Sequence, residues 1–138
     1  MIKIQIKKIN PKAKIPFYAH EDDAGMDICA VSKTENEKYI EYGTGLSFEL
    51  PKNYVMLVFP RSSLSKKDLI LANHVGVLDS GYRGELKLRF KKIGEEIYDI
   101  GEKIGQIMIL PYPKIKFQET NELSMTSRGE GGFGSTGK

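Results

Sequence analysis

Arg61, Ser62 and Ser63 stand together between Pro60 and Leu64. A guanidinium, two hydroxyls and the free backbone amides of a helix start are groups that hold a phosphate, because the planar Arg fork matches anionic oxygens and unpaired N–H groups carry partial positive charge. The same residues would serve equally as the capped start of a short helix after a strand. Asp79 and Tyr82 lie in the run 76–85, rich in turn formers, where an aspartate ordinarily serves its own backbone and a tyrosine packs at a core rim. Residues 128–137 read RGEGGFGSTG, five glycines in ten. Glycine lets backbone amides approach an anion closely, and Arg128, Ser135, Thr136 and Phe133 add a cation, two hydroxyls and an aromatic plane. Alone, such a segment is a flexible terminus. Two further glycine-flanked clusters hold Asp27 (24–27) and Gln106 (101–106).

Other chemistries find little equipment. His20 and His74, the single Cys29 and scattered carboxylates form no ligand set with metal-site spacing, so a protein-caged transition metal is not expected. Cys29 has no base beside it in sequence and is expected to be a buried, inert thiol. One cysteine excludes an internal disulfide, and no apolar stretch nears the roughly 18 residues of a membrane helix. These features, with no signal-peptide pattern, imply a soluble protein of a reducing, cytoplasmic compartment. A net charge of +3 from 21 basic and 18 acidic residues offers no general attraction to nucleic acid. Lys3, Lys7, Lys8, Lys12 and Lys14 suit the wet face of a strand.

The elements that must position these groups are mostly strands. Apolar residues alternate with polar ones at Ile2-Ile4-Ile6, Leu46-Phe48-Leu50, Leu86-Leu88-Phe90 and Ile115-Phe117, the period-two mark of half-buried strands. Denser runs at 54–59 and 107–110 predict strands covered on both faces. One short helix is expected over 62–68, with Ser62 or Ser63 as its cap and Lys66 and Lys67 near its end. With turn residues between the runs, 138 residues predict one all-β domain, a sandwich or jelly roll.

Taken in order, five clusters resemble the five motifs of the trimeric dUTPase family: AGMDICA (24–30), PRSSL (60–64), GVLDSGYRGEL (76–86), GEKIGQI (101–107) and RGEGGFGSTG (128–137). The resemblance implies an all-β, jelly-roll-like β barrel of the β-clip type, with one short helix. It assembles as a homotrimer whose sites draw on all three subunits, with a barrel over 1–127 and a mobile C-terminal lid over 128–138. It also implies hydrolysis of dUTP to dUMP and pyrophosphate, which limits uracil incorporation into DNA and supplies dUMP for dTMP synthesis.

Carried onto this sequence, Asp79 would be the general base for the water that attacks the α-phosphorus; an ordinary carboxylate, with a pKa of about 4, is ionised at neutral pH. Gln106 would help position that water or the α-phosphate. Tyr82 would exclude a ribose 2′-hydroxyl, while Asn73 and backbone of the hairpin at Gly76 would bind uracil. Arg61, Ser62 and Ser63 would hold the phosphates. Arg128, Ser135 and Thr136 would clamp the γ-phosphate, and Phe133, beside Gly134, would stack over the base. Mg²⁺ would be held mainly by the triphosphate without a direct protein ligand, with Asp27 supporting either its hydration shell or Arg61. Departures from the motifs are Ile28, Cys29, Leu78 and Gly105, the last in place of a frequent alanine and expected to loosen its strand.

Two rival readings remain. A dCTP deaminase, or a bifunctional deaminase and dUTPase, would share the barrel but needs a catalytic glutamate beside the base, and the complete fifth motif argues against it. A regulatory binding protein on the same scaffold would keep a protein partner, which the sequence leaves open; neither nucleic acid nor a membrane is expected as a partner.

Overall fold

The computed structural model describes residues 1–137; Lys138, the last residue of the expected lid, lies outside them. Ten strands and one 3-10 turn follow in order: β1 (Gln5–Lys8), β2 (Met26–Cys29), β3 (Ser32–Glu35), β4 (Ile40–Gly43), β5 (Leu46–Glu49), β6 (Tyr54–Phe59), the turn Ser62–Lys66, β7 (Leu69–Leu71), β8 (Gly76–Leu78), β9 (Lys87–Lys92) and β10 (Lys103–Pro111). They form two four-stranded antiparallel sheets, β2-β10-β6-β8 and β3-β4-β9-β7, with β1 and β5 as a separate pair. This is the all-β, jelly-roll-like architecture expected.

Period-two patterning chose the inward faces. Leu88 and Phe90 of β9 point inward between Lys87, Arg89 and Lys91, and Leu46 and Phe48 of β5 do the same. They join Ile28, Met56, Val58, Ile104 and Ile107 from the other sheet in one core. At its centre the rings of Tyr42, Phe90 and Tyr98 meet edge to face at 5.7–6.0 Å between centroids. The Tyr42 hydroxyl donates to the Tyr98 carbonyl at 2.8 Å, and burial pushes its phenol up to about 12.

Four expectations are corrected. The first strand begins at Gln5 rather than Ile2, because its partner stops at Glu49, two residues before Pro51, which has no N–H to donate. Residues 115–117 form no strand, and Ile115 and Phe117 are 71% and 90% exposed; alternation makes a strand only where a neighbouring edge can accept it. The dense runs of β6 and β10 are covered on one face only, leaving Val55, Leu57 and Met108 half-buried and Leu110 exposed. The helix is a five-residue 3-10 turn with Arg61 as its N-cap and no side-chain cap, because Ser63 instead accepts from Arg61 and the Ser65 hydroxyl donates to the Ser62 carbonyl.

Candidate functional site

Strand register brings three of the clusters into one row. In the sheet β2-β10-β6, Asp27 pairs with Gln106 and Gln106 with Phe59, so Pro60 and Arg61 emerge beside both. Arg61 Nε donates to Asp27 Oδ1 at 2.9 Å, Lys103 Nζ lies 2.9 Å from Asp27 Oδ2, and Arg61 Nη1 donates to Ser63 Oγ at 3.1 Å. Gln106 Nε2 donates to the Pro60 carbonyl at 3.1 Å. Gly25 makes room for that amide, since a Cβ there would stand 2.9 Å from Gln106 Oε1. Asp27 thus fixes the Arg61 side chain through Nε and leaves most of the guanidinium fork to bind an anion.

Gly105, expected to loosen its strand, does the reverse. A Cβ there would stand 2.8 Å from Leu88 Cδ2 and 3.0 Å from the Phe59 carbonyl oxygen, so the backbone is close-packed where β10 shifts register against β2. Cys29, on the same β2 and expected to be buried, is half-buried and lines a cavity of about 590 Å³ together with Asp27, Lys103, Gln106 and Phe17.

The second cluster lies across the sheet. β8 pairs with β6, Gly76 opposite Val58, and a Cβ on Gly76 would come within 3.1 Å of the Val58 Cβ. The connection from β7 to β8, which crosses between the two sheets, turns at His74, whose φ of 60° puts a non-glycine residue in the left-handed region. A cavity of about 520 Å³ is lined by Asn73, Gly76, Asp79 and Tyr82, with Leu71, Val58 and Leu88 as apolar wall. Tyr82 is held by the bond from its hydroxyl to the Glu85 carbonyl, 3.0 Å, and its ring lies so close to Gly84 that no side chain would fit there. Asp79 is exposed, and its carboxylate has neither hydrogen-bond nor ion-pair partner among the described residues. The far end of the cavity holds Glu41, whose carboxyl is kept low by its hydrogen bond from Arg89 and, against the opposing effect of burial, by Lys87.

The two cavities share no lining residue, and the tail lines neither. Arg128 bonds only back to the Gly131 carbonyl, Phe133 is fully exposed with a φ of 53°, and Gly134, Ser135 and Thr136 are likewise exposed. Within one chain, therefore, Asp27, Arg61, Ser63 and Gln106 come together, with Ser62 exposed beside them, as do Asn73, Gly76, Asp79 and Tyr82; the two groups and the tail remain apart. Lys103 was legible as part of the fourth cluster but was not singled out.

No group of three or more His, Cys, Asp or Glu residues is placed to cage a metal among the described residues. Asp27 is engaged by both Arg61 and Lys103.

A family model described as dUTPase matches residues 11–137. The deoxyuridine 5'-triphosphate nucleotidohydrolase of Alkaliphilus metalliredigens is 42% identical over 99% of both chains, and that of Clostridium kluyveri 43% identical over 99% of both. Among solved structures, the Staphylococcus bacteriophage 80alpha dUTPase with dUPNHPP has a TM-score of 0.85 at 26% identity, covering all of both chains.

Proposed function

This chain belongs to the dUTPase family, and from that premise we propose how it works: it is a hydrolase that splits dUTP into dUMP and pyrophosphate, with Asp79 as the general base. The observation that carries the residue assignment is the cavity that gathers Asn73, Gly76, Asp79 and Tyr82, with the Asp79 carboxylate exposed and without a partner among the described residues.

A free carboxylate accepts a proton from a water at the α-phosphorus as the new P–O bond forms; the bond to the β-phosphate oxygen breaks and pyrophosphate leaves. Asn73 and hairpin backbone read the N3–H and O4 of uracil. Cytosine inverts that donor and acceptor pattern and leaves groups unpaired at about 1–3 kcal/mol each. Tyr82, pinned by Glu85 and Gly84, rejects a 2′-hydroxyl by filling its space. Arg61, Ser62 and Ser63 bind the phosphates, and Gln106 orients the α-phosphate or the water. Asp27 holds Arg61, which its ion pair supports over a place in the metal hydration shell. Mg²⁺ arrives on the triphosphate and neutralises its charge.

The active unit is a homotrimer. Supporting this are two cavities that each hold half of the chemistry, and an apolar stripe of Val55, Leu57, Met108 and Leu110 on paired strands, half-buried at the first three and exposed at Leu110. Residues 112–127, which follow β10, carry Ile115, Phe117, Leu123 and Met125 exposed. A neighbouring copy would cover these surfaces and receive the tail, where Arg128, Ser135 and Thr136 clamp the γ-phosphate and Phe133 closes over the base. Among the described residues no helix is long and apolar enough to cross a membrane; we assign the reaction to the cytoplasm, where a lone cysteine stays reduced.

Pyrophosphate release measured across dUTP, dCTP, dTTP and UTP with Mg²⁺ tests the proposal. Turnover of dUTP alone is expected. Ammonia from dCTP would establish the deaminase reading instead.

A further inference from the structure

We infer that Glu85 is a positioning residue for sugar selectivity: its carboxylate, seated on the turn between β4 and β5, fixes the backbone carbonyl to which the Tyr82 hydroxyl is tied. The inference rests on the proposed sugar-excluding role of Tyr82 and adds to it a side chain and a turn, residues 43–45, that lies outside all five motifs.

Glu85 accepts hydrogen bonds at both its backbone and its side chain. The Tyr82 hydroxyl donates to its carbonyl at 3.0 Å, and the Gly45 amide donates to its carboxylate at Oε1, 2.8 Å. Gly45 is buried, so its N–H needs an acceptor from the chain, and the carboxylate supplies one. The turn is shaped for that carboxylate. Gly45 has a φ of 69°, in the left-handed region that a side chain would strain, and a Cβ on Gly43 would stand 2.6 Å from Glu85 Oε1. Glycine at 43 thus leaves the space the carboxylate fills, and glycine at 45 turns the amide towards it.

The residue that follows is fastened to the same turn. Leu86 N donates to the Leu46 carbonyl at 2.8 Å, while Thr44 donates to the Leu86 carbonyl from its amide at 3.1 Å and from its hydroxyl at 2.7 Å. A peptide unit is planar, so the Leu86 N–H and the Glu85 carbonyl turn together. The carboxylate bond on one side and the Leu86 bonds on the other therefore hold that carbonyl still.

Glu85 is the last fastened residue before the exposed stretch 81–84. Tyr82 lies in that stretch with 48% of its surface exposed, so packing restrains it little and the bond from its hydroxyl decides where the ring stands. A carbonyl that drifts takes the ring with it and opens the space of a 2′-hydroxyl. Glu85 lines the same cavity as Asn73, Asp79 and Tyr82, but its carboxylate is taken up by the Gly45 amide and has Lys87 3.9 Å away, so it acts through Tyr82 rather than on substrate.

The test is kcat/KM for dUTP and for UTP with Mg²⁺, at enzyme concentrations high enough to register UTP, together with melting temperatures. The proteins compared are wild type, Glu85→Ala, Glu85→Gln, Tyr82→Phe and the double variant Glu85→Ala with Tyr82→Phe. Glu85→Ala is expected to raise the ratio of UTP to dUTP turnover about three- to tenfold, the worth of one hydrogen bond. Glu85→Gln, whose amide oxygen still accepts from Gly45, should return the ratio to within about twofold of wild type. Tyr82→Phe cuts the same link from the other end and should raise the ratio at least as far, with Glu85→Ala adding nothing in that background. An unchanged ratio in Glu85→Ala overturns the inference, as does an equal loss on both nucleotides, which marks a role in the fold alone. So do a Glu85→Gln variant that behaves like Glu85→Ala and effects that add in the double variant. Tyr82→Phe alters only an exposed ring, so a wild-type ratio there overturns the inference even if Glu85→Ala fails to fold. A wild-type protein that splits UTP as well as dUTP, or neither, instead brings down the reading of the site, and the inference with it.

Discussion

Two aspartates of the site stand in opposite surroundings. Asp27 is held at both oxygens, by Arg61 and Lys103, on an edge strand whose register sets it opposite Gln106. Asp79 is exposed at the end of a three-residue strand with no partner for its carboxylate among the described residues. A carboxylate already holding two cations is a poor base and a good anchor, whereas a free one can bind and deprotonate water. Chemically identical groups thus stand in the two different surroundings that the proposed positioning and reacting roles require.

The largest expected effect breaks the reacting member. Asp79→Asn keeps the shape and removes the base, so kcat should fall about 10²- to 10⁴-fold while equilibrium binding of dUTP persists; a variant as fast as wild type would remove Asp79 from the mechanism. Asp27→Asn strikes the anchor instead. Freed of its charge partner, Arg61 loses its fixed angle, and kcat/KM should drop by up to about a hundredfold through KM. Stability should change by less than about 1 kcal/mol, because both members of the pair are more than a quarter exposed. If Asp27→Asn loses kcat as Asp79→Asn does, with KM untouched, the contrast between the two carboxylates is wrong. The smallest effect on activity should come from Gly105→Ala, which perturbs the strand that carries Gln106 to Asp27. Overpacking against Leu88 and Phe59 should destabilise the fold by about 1–3 kcal/mol in denaturant unfolding; an alanine tolerated without loss would mean that this close approach relaxes freely.

Much of this was legible beforehand because it is local. The alternation at Leu86-Leu88-Phe90 names its own buried face, and the glycines at 81 and 84 mark the turn that presents Tyr82. The one-sided cover of β6 and β10 was not legible, since an apolar run looks the same whether its second face meets the same chain or another molecule. Nor was the absence of a strand at 115–117, where the pattern was present but no edge within the chain was available to pair with it. The helix cap was missed for a related reason: Ser63 has the side chain of a cap, but its oxygen accepts from Arg61.

By itself the amino-acid sequence determined the inventory: an aspartate among turn formers, a guanidinium beside two hydroxyls, an asparagine and a glycine-rich tail, set between strands whose inward faces the alternation marks. Tertiary structure alone decided how they combine. Asp27 and Arg61 are 34 residues apart and meet only through the register of three strands. Side-chain pairing across a sheet is a property of register and burial, which local sequence does not encode, and so the contrast between the surroundings of Asp27 and Asp79 emerges only in the folded chain.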